Sequence, residues 1–158
     1  MKIGVLSDSH GYLGNARQAL ELMGEIDGLI HCGDHYSDAS ILSREYNMPV
    51  YGVSGNCHPG VQGAEEKIIE FMGLAILITH GHRHRVKYSL DTLRRHALGL
   101  KVQAVVFGHT HIPLKSLKEG VLFFNPGSIS YPRGNGGPSF GVLQMSQGII
   151  TPSLHYLE

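Results

Sequence analysis

The segment VVFGHTHIP, residues 105–113, ends an apolar run with a glycine and then sets two histidines on either side of one threonine. In extended backbone, residues two apart point to the same side. His109 and His111 are therefore expected to converge on one small shared ligand. Four more polar clusters stand where apolar runs stop: SDSHG (7–11), HCGDHYSD (31–38), SGNCHP (54–59) and THGHRH (79–84). Each has an ordinary explanation alone. Asp8-x-His10 reads as a helix-capping turn, Gly33-Asp34 and Gly55-Asn56 as turn dipeptides, and His80 as a satisfied core histidine. A bound metal explains all five together. Asp, Asn and His offer oxygen and nitrogen donors of intermediate hardness, suited to manganese, iron, zinc or nickel rather than calcium. Asp8, His10, Asp34, Asn56, His80, His109 and His111 are too many donors for one ion with an open position. Two ions sharing a carboxylate fit better, and ion pairs about 3.5–4 Å apart clamp the attacking and leaving oxygens of a phosphoryl displacement.

The elements that must carry these clusters follow from periodicity. IGVLS (3–7), GLIHCG (28–33) and PVYGVSG (49–55) read as buried strands. NARQALELM (15–23), with Ala16, Leu20 and Met23 on one stripe and Asn15 as N-cap, reads as a helix, as does SDASILSREY (37–46). This β-α-β-α-β order favours parallel strands in a helix-covered sheet. In the second half, EKIIEFMGLAILITH gives two strands joined at Gly73, residues 89–100 a helix, and QAVVFG a further strand. Hairpins follow, turning at Glu119-Gly120 and near Gln147-Gly148. The glycine-rich GNGGPS (134–139) lacks the lysine of a phosphate-binding P-loop and is read as a hairpin loop. Ligands of open α/β sheets bind beyond the carboxyl ends of strands, where all five clusters fall.

At 158 residues the chain is expected to form a single domain, 1–158, able to bury a substantial core. Its 13 basic and 13 acidic side chains cancel, so long-range attraction to nucleic acid or anionic membrane should be weak. Histidine is the outlier, with 11 copies against 5 phenylalanines; it is the commonest metal ligand. Cys32 and Cys57 give no disulfide framework and are read as free thiols. Too few apolar residues precede Asp8 for a signal peptide, and no run spans a membrane, so a cytoplasmic location is expected.

With these motifs in this order, and with NPGS at 125–128, the chain resembles the calcineurin-like metallophosphoesterases, above all their small single-domain bacterial and archaeal phosphodiesterases. The resemblance implies an α/β fold, a four-layer α-β-β-α sandwich with two mixed sheets. It implies one ion on Asp8, His10, Asp34 and His111, and a second on Asp34, Asn56, His80 and His109, with Asp34 bridging. Two divalent ions are implied, Mn2+ first, with Zn2+, Fe2+ or Ni2+ as alternatives. A hydroxide between them would attack phosphorus in line while Asn56 stabilises the phosphoryl oxygens. Asp34, Asn56 and His109 are the expected catalytic residues, acting on a small phosphodiester.

One position departs from the family pattern. Many larger members carry a histidine directly after the motif asparagine to protonate the leaving group, whereas this chain has Cys57 there. His58, next along, is the candidate for a displaced general acid. Activated phosphodiesters are thus expected to react faster than unactivated ones. The alternative is a catalytically weak or inactive interaction scaffold resembling the small subunit of retromer. A nuclease with an extended nucleic-acid track is disfavoured by zero net charge and the lack of an aromatic-basic stripe, and a single-metal cupin by the β-α-β-α-β opening. His82 could line the pocket, Arg83, Arg85 and Lys87 form a positive rim, and Arg133 could reach a phosphate. A partner membrane is not expected, and the sequence leaves monomer and homo-oligomer both open.

Overall fold

The computed structural model describes residues 1–57 and 63–158, so His58 lies outside the described residues. Two five-stranded sheets face each other. The first has the order β10-β9-β1-β2-β3, built from β1 (Lys2–Leu6), β2 (Gly28–His31), β3 (Val50–Gly52), β9 (Ser139–Ser146) and β10 (Ile149–Tyr156). In it β1, β2 and β3 run parallel, while β9 is antiparallel to both β1 and β10. The second has the order β4-β5-β6-β8-β7, from β4 (Glu66–Phe71), β5 (Leu74–Thr79), β6 (Ala104–Val106), β7 (Leu114–Lys118) and β8 (Val121–Asn125). Here β5, β6 and β8 are parallel and the two edges antiparallel. The expected pair of mixed sheets is what forms.

Strand alternation sorts the side chains into three apolar layers. Ile3, Val5, Ile30, Ile76, Ile78, Ala104, Val106 and Phe124 point between the sheets. Leu6 and Leu29 point outward to Ala16, Leu20 and Met23 of α1 (Gly14–Met23) and Leu42 of α2 (Tyr36–Tyr46). On the other outer face Leu77, Val105 and Phe123 meet Leu93 and Ala97 of α3 (Asp91–Leu100). Burial on both faces is why these strands read as continuous apolar runs. Cys32 belongs to the inter-sheet layer as a small hydrophobe. Phe124 of one sheet packs where β9 carries Gly141, and a Cβ there would overlap its ring. Among the described residues no helix is long and apolar enough to cross a membrane.

Three local expectations change. Asn15 is not an N-cap: the helix starts at Gly14 behind Leu13, and Asn15 Nδ2 instead donates to the Ile129 carbonyl at 2.9 Å. The GNGGPS segment is not a hairpin loop, because β8 and β9 belong to different sheets and the chain crosses between them. THGHRH leads into a 3-10 turn, His82–His84, that periodicity did not reveal. The turns at Met72-Gly73, Glu119-Gly120 and Gln147-Gly148 form as expected, each with two consecutive positive φ values.

Candidate functional site

Loops leaving β1, β2, β3, β5 and β6 meet at one edge of the sandwich, cross-linked by their backbones. Asp8 N donates to Gly33 O at 3.0 Å, and Gly108 N to His80 O at 3.1 Å. Asp8, His10, Asp34, His109 and His111 all have positive φ, between 48° and 67°. Left-handed backbone costs a non-glycine residue roughly 1–3 kcal/mol and persists only where surroundings over-determine it. Here Ser128 Oγ donates to Asp8 O at 2.9 Å, and Arg133 N to His111 O at 3.0 Å. His109 and His111 therefore do not converge by strand alternation. β6 has ended at Val106, and the two rings turn to different neighbours.

His111 joins Asp8, His10 and Asp34, whose ligand atoms all lie within 4.8 Å of one another. His111 Nε2 is 3.2 Å from Asp8 Oδ1 and 3.5 Å from His10 Nε2, and His10 Nε2 is 3.4 Å from Asp34 Oδ2. His109 joins His80: its Nδ1 is 3.2 Å from His80 Nε2, which also has Asn56 Oδ1 at 3.0 Å and Asp34 Oδ1 at 3.4 Å. The two Asp34 oxygens thus face the two groups separately, while Oδ1 is held by the backbone N–H groups of Asn56 and Cys57, both at 3.0 Å. All seven expected donors are brought together.

Ring orientation decides what this cluster can bind. His80 Nδ1 donates to Cys32 O at 2.7 Å and His111 Nδ1 to Tyr131 O at 2.6 Å. A carbonyl only accepts, so Nδ1 is the nitrogen that carries the proton in the ligating tautomer, which presents the Nε2 lone pair inward. Those lone pairs face carboxylate, amide and imidazole acceptors. Among the described residues Asp8 Oδ1 is fully buried with no hydrogen-bond partner, although Oδ2 accepts from Ser7 Oγ at 2.6 Å and His109 N at 3.1 Å. Converging lone pairs around an orphaned buried carboxylate oxygen fit divalent cations, and the N/O donor set fits borderline transition ions.

Electrostatics favour neutral rings at His109 and His10 and a held proton at His111. Burial, followed by His80 and Lys87, pulls His109 down to about 4, so it is neutral near pH 7. Burial also lowers His10 against the opposing pull of Asp34 and Asp8. Burial opposes charge on Asp8 and His111 too, but each is outweighed. His111, His80 and Ser7 hold the Asp8 carboxyl below the usual range, while Asp8 and the Tyr131 carbonyl raise His111.

Ser7, Ser9, His31, Asp38 and Tyr131 have supporting roles that motif reading gave no sign of, and the NPGS segment gains one. Ser7 and Tyr131 brace ligands, as above. Asn125 Nδ2 reaches Gly108 O and Thr110 Oγ1, both at 3.0 Å, so residues 125–128 support the Asp8 and His109 loops at once. Behind Asp8, buried Ser9 Oγ donates to Asp38 Oδ2 at 2.6 Å and lies 2.8 Å from His31 Nε2. The His82 ring meets those of His80 and His109 at a steep tilt, with centroids 5.4 and 6.0 Å away, and its Nδ1 is buried without a hydrogen-bond partner among the described residues. Arg83 pairs with Glu65 at 2.7 Å rather than facing the site, and Arg85 lies over the Tyr88 ring. Lys87 and Arg133 border a 390 Å³ cleft floored by Val86, Leu90 and Phe107 and reaching Thr110.

Comparison with known proteins gives a consistent set. Residues 1–148 match the model of the calcineurin-like phosphoesterase superfamily domain. The probable metallophosphoesterase YsnB of Bacillus subtilis is 32% identical over 153 residues, covering 96% of this chain and 88% of YsnB. Phosphodiesterase MJ0936 of Methanocaldococcus jannaschii is 33% identical over 145 residues, covering 80% and 83%. A crystal structure of a predicted phosphoesterase from Streptococcus pneumoniae superposes with a TM-score of 0.84 at 27% identity, covering 97% of this chain and 87% of that one.

Proposed function

The chain belongs to the calcineurin-like phosphoesterase superfamily, and on that premise we propose that it is a metal-dependent hydrolase of small phosphodiesters. The carrying observation is the Asp34 carboxylate, whose two oxygens each face one of two imidazole-rich donor groups. Asp8, His10, Asp34 and His111 would hold one divalent ion, and Asp34, Asn56, His80 and His109 the other. Bound there, the pair would supply an activated water nucleophile and neutralise charge on the phosphoryl oxygens. Relatives named as phosphodiesterase and metallophosphoesterase support this reaction class.

The remaining steps fall to the chain's own groups. Asn56 directs Oδ1 at His80, and its Nδ2, unpartnered among the described residues, is free to donate to a phosphoryl oxygen. His80 and His111 are fixed by carbonyl hydrogen bonds, so neither ring needs to reorganise as charge develops. His109, neutral at pH 7, keeps its lone pair. The cleft beside Lys87 and Arg133 gives the ester substituent an apolar floor with cations at the mouth.

Purified protein given Mn2+ and bis-p-nitrophenyl phosphate should turn over this activated diester. Chelator should abolish turnover and Mn2+ restore it. The Asp34→Asn and His109→Ala variants should lose at least 100-fold, on the order expected when a charged transition-state contact is removed. Wild-type activity no higher than these variants would transfer the assignment to the interaction-scaffold reading.

A further inference from the structure

We propose that Glu66, His84 and His96 form a second, independent cation site of the zinc type, which ties β4, the 3-10 turn and α3 together. None of the three is a donor to the cluster described above. They come from three separate elements, Glu66 opening β4, His84 closing the 3-10 turn and His96 lying within α3. His84 Nε2 is 3.1 Å from Glu66 Oε2, and His96 Nε2 is 2.9 Å from Oε1. The two rings stack with centroids 4.7 Å apart and 29° between their planes. One ligand atom from each residue falls inside a 4.8 Å triangle.

Both rings aim Nε2 at the one Glu66 carboxylate, each at its own oxygen, and protons on the two nitrogens hold the cluster together when no ion is bound. A divalent ion replaces those protons, accepts both Nε2 lone pairs and one carboxylate oxygen, and leaves each Nδ1–H turned away from it. Tetrahedral zinc, with bonds of about 2.0–2.1 Å, sets its ligands about 3.3–3.4 Å apart. Here Glu66 meets His96 through Oε1 at 2.9 Å and His84 through Oε2 at 3.1 Å, and one ligand atom from each residue lies within 4.8 Å of the other two, so side-chain rotation alone can bring the three to that spacing. Two imidazoles and a carboxylate are a three-ligand set that leaves a fourth position for water. A cleft of 270 Å³ lined by Glu65, Glu66, Thr79, His82, Arg83 and His84 opens beside two of the three residues, and Arg83 in it is paired with Glu65.

Partial exposure argues for exchange with solvent rather than permanent burial: the side chains of His84, His96 and Glu66 are 14%, 33% and 37% exposed. The tie also bears on the phosphoesterase site. His82 sits on the same 3-10 turn as His84 and lines the same cleft, so fixing that turn fixes the ring beside His80 and His109.

Equilibrium dialysis against Zn2+ followed by elemental analysis tests the site. Wild-type protein should retain one more equivalent per chain than the His84→Ala/His96→Ala variant, whatever number the other cluster binds. Failure here is thereby separable from failure of the phosphodiesterase reading. Equal zinc in the two proteins overturns the proposal. Should the double variant not fold, anomalous scattering at the zinc edge from wild-type crystals decides instead. A peak bonded to Glu66, His84 and His96 supports the site, and its absence in zinc-soaked crystals refutes it.

Discussion

Replacing Gly108 by alanine isolates the support of a single ligand oxygen. Gly108 does not have a positive φ, so alanine carries no conformational penalty there and the effect is steric. The new Cβ would overlap Ser7 Oγ and lie 2.8 Å from Asp8 Oδ2. The backbone cannot retreat: Gly108 N is bonded to His80 O, and its carbonyl accepts from Thr110 N and Asn125 Nδ2. Ser7 must therefore swing away from Asp8, breaking the 2.6 Å hydrogen bond that steadies this buried carboxylate. A lost hydrogen bond to a charged group costs about 1.5–3 kcal/mol, and overpacking adds about 1–3 kcal/mol. Together Gly108→Ala should lose roughly 2.5–6 kcal/mol in urea unfolding with chelator present. Metal affinity, read by calorimetric titration, should fall by about 10- to 100-fold, as when a ligand loses its hydrogen-bond partner. Adding Ser7→Gly removes the overlapped atoms, so the double variant should recover the overpacking share of about 1–3 kcal/mol; because both single variants break the same hydrogen bond, the coupling should reach about 2.5–6 kcal/mol. A loss below about 1 kcal/mol for Gly108→Ala, or strict additivity in the double variant, would refute this account.

Two further outcomes follow from the electrostatics. The raised pKa of His111 means that the folded, metal-free chain holds this proton more tightly than the unfolded chain. Its contribution is complete below the ordinary histidine value of about 6.5 and is lost as pH rises through the raised one; the stability gap between wild type and His111→Gln, measured in chelator, should shrink from acid to alkaline pH, and a gap that widens contradicts it. Burial and then the Asp34 charge raise the Cys57 thiol, so iodoacetamide should label it more slowly in the folded chain than in the unfolded one. Mn2+, by neutralising Asp34, should speed that labelling, and mass spectrometry showing no acceleration would count against Asp34 as a cause.

The fold is legible in the sequence where physics is local. Apolar runs such as residues 76–78 and 104–106 are buried on both faces, and paired positive-φ turns such as Glu119-Gly120 announce themselves through glycine. The seven expected donors were legible as types at strand ends, because a cluster of Asp, Asn and His there has few structural uses. Their geometry was not. The left-handed backbone at Asp8, Asp34 and His109 is set by bonds from segments about 20 to 120 residues away, such as Ser128 Oγ to Asp8 O, and no local pattern encodes it. The crossing of residues 134–139 between sheets is equally non-local, since a glycine-rich loop reads the same whether it closes a hairpin or bridges two layers. Glu66 and His96 carry no motif at all, and only the packing of α3 on the sheet in which β4 flanks β5 makes them neighbours.

The seat of Phe124 against Gly141 reaches further than stability. Asp8, Asp34 and Asn56 ride on one sheet, and His80, His109 and His111 on the other, with that aromatic ring wedged between the two layers. The spacing of the donors is consequently a gauge of how far apart the layers stand, set by interior residues remote from the loops that carry those donors.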